Sequence, residues 1–448
     1  MMHEKDLPLL VDLYELAMAQ AYWHEGMQER AVFSLFFRDL PEHRNFVLAC
    51  GQRNIAEVLE GLRFSEDHIE RLRQLNRFQP GFLEWLRSFR FSGSLHAVPE
   101  GTPLFPQEPL LEIEAPIAEA QILESLVMNY VHLESVLATK AVRLALAADG
   151  RPVVDFGLRR MHGIDAGHRS VRAFRLAGLS ATSNVLAGLD FDMDVNGTMA
   201  HSFVQAYPDE LEAFKVYAHL YPGTTLLVDT YDSRRAVRRI VSWLRENPSA
   251  NIGAIRLDSG DLAAEARDCR RILDDGGFPQ IRIMTSGGLD EYRIARLLAE
   301  EAPIDGFGVG TAIGVAADAP ALELAYKLTE YAGEPKMKSS SGKVSLPGRK
   351  QVFRVLDDDG RIVRDTVAGR MESAEGRPLL EPIMENGRIL PEAIGPLASQ
   401  VDGAQQAIAS LPDPLLGLEP AEPVPVQISD YLTQLQRDTL AVVAGQRR

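Results

Sequence analysis

Ile252–Gly288 reads IGAIRLDSGDLAAEARDCRRILDDGGFPQIRIMTSGG. An apolar run, Ile252 to Asp258, leads into the polar segment Arg256-Leu257-Asp258-Ser259-Gly260-Asp261. A helical pattern then covers Leu262 to Asp275, and a second apolar run, Ile281 to Thr285, ends in Ser286-Gly287-Gly288. Strand, helix, strand in that order implies parallel strands joined by a crossover helix. The unit recurs on both sides, with Val153-Val154-Asp155-Phe156 and Thr225 to Asp229 before it and Gly306 to Val309 after it. Helices are expected at Arg234 to Arg245 and Asp290 to Glu301. The pattern predicts a barrel-like α/β domain, in which the C-terminal strand ends form the active face.

Outside this region the periodicity changes. Leu7 to Pro116 is mixed: a helix near Leu13 to Trp23, an apolar segment at Ala31 to Phe37, helices around Ile55 to Leu75, then short strands from Gly93 to Ile113 broken by prolines and Gly101. Leu123, Leu126, Tyr130, Leu133 and Leu137 recur at spacings of three or four, so a long helix runs until Asp149-Gly150 stops it. Beyond Ala332 a polar loop with Ser339-Ser340-Ser341-Gly342 precedes a hairpin turning at Asp357 to Gly360, between Val352 to Val355 and Ile362-Val363. Leu411 to Pro425 reads as an extended connector to a last helix, Ile428 to Val443. Domain borders are expected at 1–135, 136–332 and 333–448.

Composition narrows the function classes. The 448 residues are 46% hydrophobic, enough for a large core. A net charge of −16 repels polyanions, which argues against a nucleic-acid partner. The two cysteines, Cys50 and Cys269, build neither a disulfide framework nor a zinc ribbon. Asp12 and Glu15 interrupt the first apolar stretch, so no signal peptide or membrane span is expected and the cytoplasm is the default.

The polar strand ends carry the chemistry. Phe156-Gly157-Leu158-Arg159-Arg160 is followed within fifteen residues by His162, His168, Arg169, Arg172 and Arg175. Guanidinium forks there can grip phosphate or carboxylate, although a solvated helix face is the plainer reading for Arg172 and Arg175. Asp229-Thr230-Tyr231-Asp232 and the Asp258 to Asp261 segment offer carboxylates for ribose hydroxyls or magnesium; the competing reading is a turn followed by a helix cap. Ser286-Gly287-Gly288 and Gly308-Val309-Gly310-Thr311 each precede a helical pattern, where backbone amides can cradle phosphate. Neither is a P-loop, and no dinucleotide fingerprint with its downstream acid is present. Gly197-Thr198-Met199-Ala200-His201-Ser202 places a histidine at a helix start, which alone is more often structural than catalytic.

Taken together in chain order, these segments resemble the nicotinate phosphoribosyltransferase family. Asp12-Leu13-Tyr14-Glu15-Leu16, Thr139-Lys140-Ala141, Thr182-Ser183-Asn184 and Leu346-Pro347-Gly348-Arg349-Lys350 extend the resemblance over nearly the whole chain. It implies an irregular type II phosphoribosyltransferase α/β barrel plus an α/β sandwich domain built from both chain ends, in a homodimer with shared sites. It further implies that His201 is a phosphohistidine through which ATP hydrolysis drives the transfer. The pyridine ring would stack between Phe156 and Tyr14 of the other subunit, near Thr198, Ser202 and Arg159. Arg256, Asp258 and Asp229 would face ribose and pyrophosphate, while Gly287, Gly288, Gly308, Gly310 and Thr311 would hold the 5-phosphate. Substrates would be nicotinate, phosphoribosyl pyrophosphate and ATP, with magnesium on the phosphorylated substrates and no protein-bound metal.

Two departures from the family pattern are Asp194, where proline is expected, and the lack of a cysteine-rich C-terminal module. Competing readings are a nicotinamide phosphoribosyltransferase, a quinolinate phosphoribosyltransferase, and a catalytically silent relative acting as a binding protein. A lyase barrel with a Schiff-base lysine is disfavoured by the scarcity of lysine at the strand ends.

Overall fold

The computed structural model describes residues 4–338 and 345–445; the Ser339 to Gly342 loop lies outside them. The chain forms two compact units, residues 1–136 with 321–448, and residues 137–320.

In the first unit, seven antiparallel strands run in the order Glu334–Pro335, Leu324–Tyr331, Arg30–Phe37, Pro109–Pro116, Ser94–Ala97, Glu381–Glu385, Arg388–Ile389. Arg30–Phe37 is buried at every position after Arg30, which explains its apolar run without alternation. Its one buried polar residue, Ser34, donates to the buried Glu112 carboxylate, which also meets Lys350 Nζ at 3.0 Å. The sequence hairpin is present as Lys350–Leu356 paired antiparallel with Ile362–Gly369.

Two features of this unit were not legible. Leu397–Ala409 is a helix, and Ile428 belongs to a short strand, Val426–Ile428, parallel to Ile362–Gly369, so the last helix starts only at Asp430. Three residues pairing with a distant strand leave no period to read.

In the second unit, seven parallel strands follow the order Asp194–Val195, Ala181–Thr182, Val153–Asp155, Gly306–Val309, Arg282–Thr285, Ile252–Leu257, Thr224–Leu227. This is the cyclic order of a barrel, opened between its third and fourth strands. The sheet is therefore a curled half-barrel, and the fold is mixed α/β. The two-residue strands Ala181–Thr182 and Asp194–Val195 were not anticipated, being too short for a periodic signal.

The crossover helices form for local reasons. Ser233–Glu246 buries Ala236, Val237, Ile240, Val241 and Leu244, a stripe at three- and four-residue spacing. Each large aliphatic so buried contributes roughly 1.5–3 kcal/mol. Asp232, Asp261 and Asp290 cap three successive helices, their carboxylates accepting the N–H of Arg235 at 2.7 Å, Ala264 at 3.1 Å and Arg293 at 2.8 Å. The helix-cap reading thus holds for the last residue of the Asp258 to Asp261 segment.

Arg172 corrects the sequence reading. It is 2% exposed, not on a solvated face, because it lies three residues after the buried Arg169 on the inward side of helix Ile164–Leu176. Arg175 is half-buried and donates to the Phe191 carbonyl and, at 3.1 Å, to Asp192.

Candidate active site

The C-terminal ends of the half-barrel strands converge as the parallel order requires. Asp155, the last residue of its strand, is buried and accepts from the Gly157 N–H at 2.7 Å and from the Thr182 hydroxyl at 2.7 Å. Burial raises its pKa, while these two hydrogen bonds oppose the rise. The carboxylate thereby fixes the turn that carries Phe156 and ties it to the next strand.

Phe156 packs against the neighbouring strand. A Cβ on Gly308 would lie 2.3 Å from the Phe156 ring, so only glycine leaves the ring this position. The Arg256 guanidinium stands 5.7 Å from the ring centroid, at cation–π range.

Arg256 also donates to the Thr198 hydroxyl, and its Nη2 lies 3.7 Å from Asp258 Oδ1. Burial pulls its pKa below the usual arginine range against the pull of Asp258 and Asp229, and the charge of Arg159 adds to the lowering. Arg256 Nε and Asp229 Oδ1 are buried without a hydrogen-bond partner. A donor and an acceptor left open in one site suit a ligand that brings both hydroxyl and oxyanion groups.

His201 opens helix His201–Gln205, in the segment that spans the open side of the sheet. Its Nδ1 lies 3.1 Å from the Thr230 hydroxyl, and its Nε2 lies 3.9 Å from Asp258 Oδ2. With the Nδ1 proton on Thr230, Nε2 keeps a free lone pair beside a carboxylate. Asp258 is itself oriented: its N–H donates to Asp229 Oδ2 at 2.9 Å, and the Ser286 hydroxyl donates to its Oδ1. Ser259 donates to the same Asp229 oxygen at 2.6 Å.

The glycine loops lie against this group. Gly287 has φ +86, and Arg293 Nη1 holds the Gly287 and Gly288 carbonyls at 3.1 and 3.4 Å. A Cβ on Gly310 would lie 3.3 Å from the Phe156 carbonyl oxygen, and Thr311 begins a short helix, Thr311–Gly314.

The structure therefore brings together Phe156, Thr198, His201, Asp229, Arg256, Asp258 and the Gly287 and Gly308 loops, with Arg159 exposed but electrostatically close. Ser202 is exposed, with no side-chain hydrogen bond among those described. Tyr14 belongs to the first unit, where it is 47% exposed. Asp155, Thr182 and Thr230 are orienting residues that sequence reasoning quoted within motifs without assigning a role. Among the described residues, the group spaced for a metal ion is Cys50, Glu100 and Glu134, in the first unit. Glu100 there accepts the Gly51 and Arg53 N–H groups at 2.8 and 3.3 Å, as a helix cap does.

Residues 9–132 match the nicotinate phosphoribosyltransferase (NAPRTase) N-terminal domain. Nicotinate phosphoribosyltransferase pncB2 of Mycobacterium tuberculosis is 50% identical over 426 residues, covering 95% of this chain and 92% of that protein. The Bacillus subtilis nicotinate phosphoribosyltransferase is 39% identical over 363 residues, 79% of this chain and 74% of its own. The crystal structure of human Nicotinic Acid Phosphoribosyltransferase matches with a TM-score of 0.84 at 27% identity, covering 95% of this chain and 99% of that one. That of nicotinate-nucleotide pyrophosphorylase from Pyrococcus furiosus gives 0.75 at 25% identity, over 92% and 97%.

Proposed function

The chain belongs to the nicotinate phosphoribosyltransferase family, and from that premise we propose that it joins nicotinate to phosphoribosyl pyrophosphate, giving nicotinate mononucleotide and pyrophosphate in the cytoplasm, with ATP hydrolysis coupled through His201. The observation that carries this reading is the cluster of His201, Asp258 and Arg256 at one end of the half-barrel, with Nε2 of the histidine 3.9 Å from the aspartate.

In the transfer, the pyridine nitrogen attacks ribose C1 as pyrophosphate leaves. No general base is required, because that nitrogen has a free lone pair. The work of the protein is alignment and charge stabilisation. Phe156 offers a flat face to the ring, Arg256 and Arg159 offer positive charge to carboxylate and phosphate oxygens, and Asp258 offers negative charge to the sugar as it becomes cationic. The open Asp229 oxygen suits a ribose hydroxyl. Gly287, Gly288, Gly308, Gly310 and Thr311 present backbone N–H groups to the 5-phosphate. Magnesium carried on phosphoribosyl pyrophosphate and ATP would supply further positive charge to the departing anion.

In the coupling step, His201 Nε2 attacks the γ-phosphorus of ATP and ADP leaves, so that one phosphoryl group passes to the ring. Thr230 holds the required tautomer, and Asp258 balances the charge that develops on the imidazole. The reading includes a homodimer in which Tyr14 of a second copy covers the other face of the pyridine; the exposure of Tyr14 supports it. Nicotinamide lacks the carboxylate that the arginines would bind, which favours nicotinate over it.

The test is to supply nicotinate or nicotinamide with phosphoribosyl pyrophosphate and magnesium, with and without ATP, and to follow mononucleotide and ADP. Nicotinate mononucleotide whose formation ATP stimulates supports the reading. Absence of product from either base would overturn it.

A further inference from the structure

The half-barrel has a second end, which the reaction above does not use. There the N-terminal ends of three adjacent strands, Val153–Asp155, Gly306–Val309 and Arg282–Thr285, frame a cavity of about 310 Å3. That is at the small end of the volumes that hold small molecules. Arg151, Arg270 and Arg282 line it, against one carboxylate, Asp305.

The three arginines are not equivalent. Arg270 is committed to its own surroundings: Nε donates to Asp274 at 2.8 Å, Nη1 to the Ile281 carbonyl at 2.7 Å and Nη2 to the Phe278 carbonyl at 3.1 Å. It is a rigid wall. Arg151 spends only Nε, on the Ile304 carbonyl at 3.0 Å, and its Nη1 is 3.6 Å from the highly exposed Asp149. Arg282 is exposed, and its side chain has no hydrogen bond or ion pair among the described residues. Asp305 is already engaged, accepting the Ile283 N–H at 2.7 Å.

We propose that this cavity is a second anion site, taking a phosphate group between the free fork of Arg282 and the terminal nitrogens of Arg151. Two guanidinium groups with unspent N–H donors match phosphate oxygens in bidentate geometry. The same three strands end, at their other termini, in Phe156, Ser286-Gly287-Gly288 and Gly310-Thr311. Occupancy of the cavity is thus set roughly four residues, about 13 Å, from the loops of the reaction site along continuous strands.

The site is tested by equilibrium dialysis of the full chain with labelled inorganic phosphate, comparing wild type with Arg282→Glu and Arg282→Lys. We expect wild type to bind one more phosphate per chain than Arg282→Glu, and Arg282→Lys to keep that site with weaker affinity. Melting temperatures close to that of wild type, as expected for an exposed arginine, show that the variants fold. Equal phosphate stoichiometry in wild type and Arg282→Glu overturns the proposal. Unlabelled AMP separates the two sources of the group: displacement of the Arg282-dependent phosphate identifies a nucleotide phosphate, and retention identifies free phosphate. The readout is binding, so it stands or fails independently of the transfer reaction.

Discussion

Gly287 and Asp258 are packed so closely that a Cβ on the glycine would lie 1.7 Å from the Asp258 carbonyl oxygen. The glycine loop and the acid segment are therefore one rigid piece, and Gly287 also holds φ +86, a conformation that disfavours any other residue. Gly287→Ala should drive the two apart. We expect kcat to fall by roughly tenfold or more, equivalent to about 1.4 kcal/mol in the barrier, with steady-state transfer rates as the check.

His201→Ala should remove ATP stimulation while leaving transfer without ATP. Thr230→Val should act in the same direction more weakly, by about one hydrogen bond or up to roughly tenfold, because it loses only the Nδ1 partner at 3.1 Å. Parallel measurement of mononucleotide and ADP decides the point; stimulation that survives in His201→Ala would remove this residue from the phosphoryl role.

Gly308→Ala should displace the Phe156 ring, which a Cβ would meet at 2.3 Å. The expected effect is on the pyridine substrate: KM for nicotinate rises about tenfold, while KM for phosphoribosyl pyrophosphate changes less. Initial rates with each substrate varied in turn distinguish the two.

Lys140 lies in the second unit among Glu291, Asp318 at 2.8 Å, and Arg143, all almost wholly buried. Lys140→Met leaves two buried carboxylates with a single cation. The expected destabilisation is about 3 kcal/mol, read as a lower midpoint in denaturant, and adding Glu291→Gln should recover part of it.

Glu15 is buried, and its pKa is raised to about 7, chiefly by desolvation, although the Ser125 hydroxyl donates to it at 2.5 Å. A carboxyl group whose folded pKa is raised holds its proton longer than the unfolded chain does. Its contribution to stability therefore declines as pH rises from about 4.5 to about 7 and does not recover above that. Glu15→Gln should be more stable than wild type at about pH 8 and differ little at about pH 4.5; thermal melts at both values check it.

Some of this protein was written locally. The long strands of the half-barrel, its crossover helices and the hairpin at Asp357 to Gly360 were legible because each repeats its apolar residues with a period or marks its turn with glycine and acids. The same holds for the order of site motifs, which parallel strands must bring to one end. The strand order alone therefore placed Arg256 and Asp258 at the active face, whereas His201, at a helix start, was picked out only by the resemblance to the family.

Tertiary structure decided the rest, wherever a role depends on a partner remote in the chain. Asp258 and Asp261 sit three residues apart in one polar segment, yet one faces His201 and the other caps a helix. Arg172 reads as a surface charge and is buried, because helix Ile164–Leu176 turns that side inward. Strands of two residues, and the orienting contacts of Asp155 with Thr182 and of His201 with Thr230, leave no periodic trace. They exist only once the chain has closed sequence separations of 27 and 29 residues.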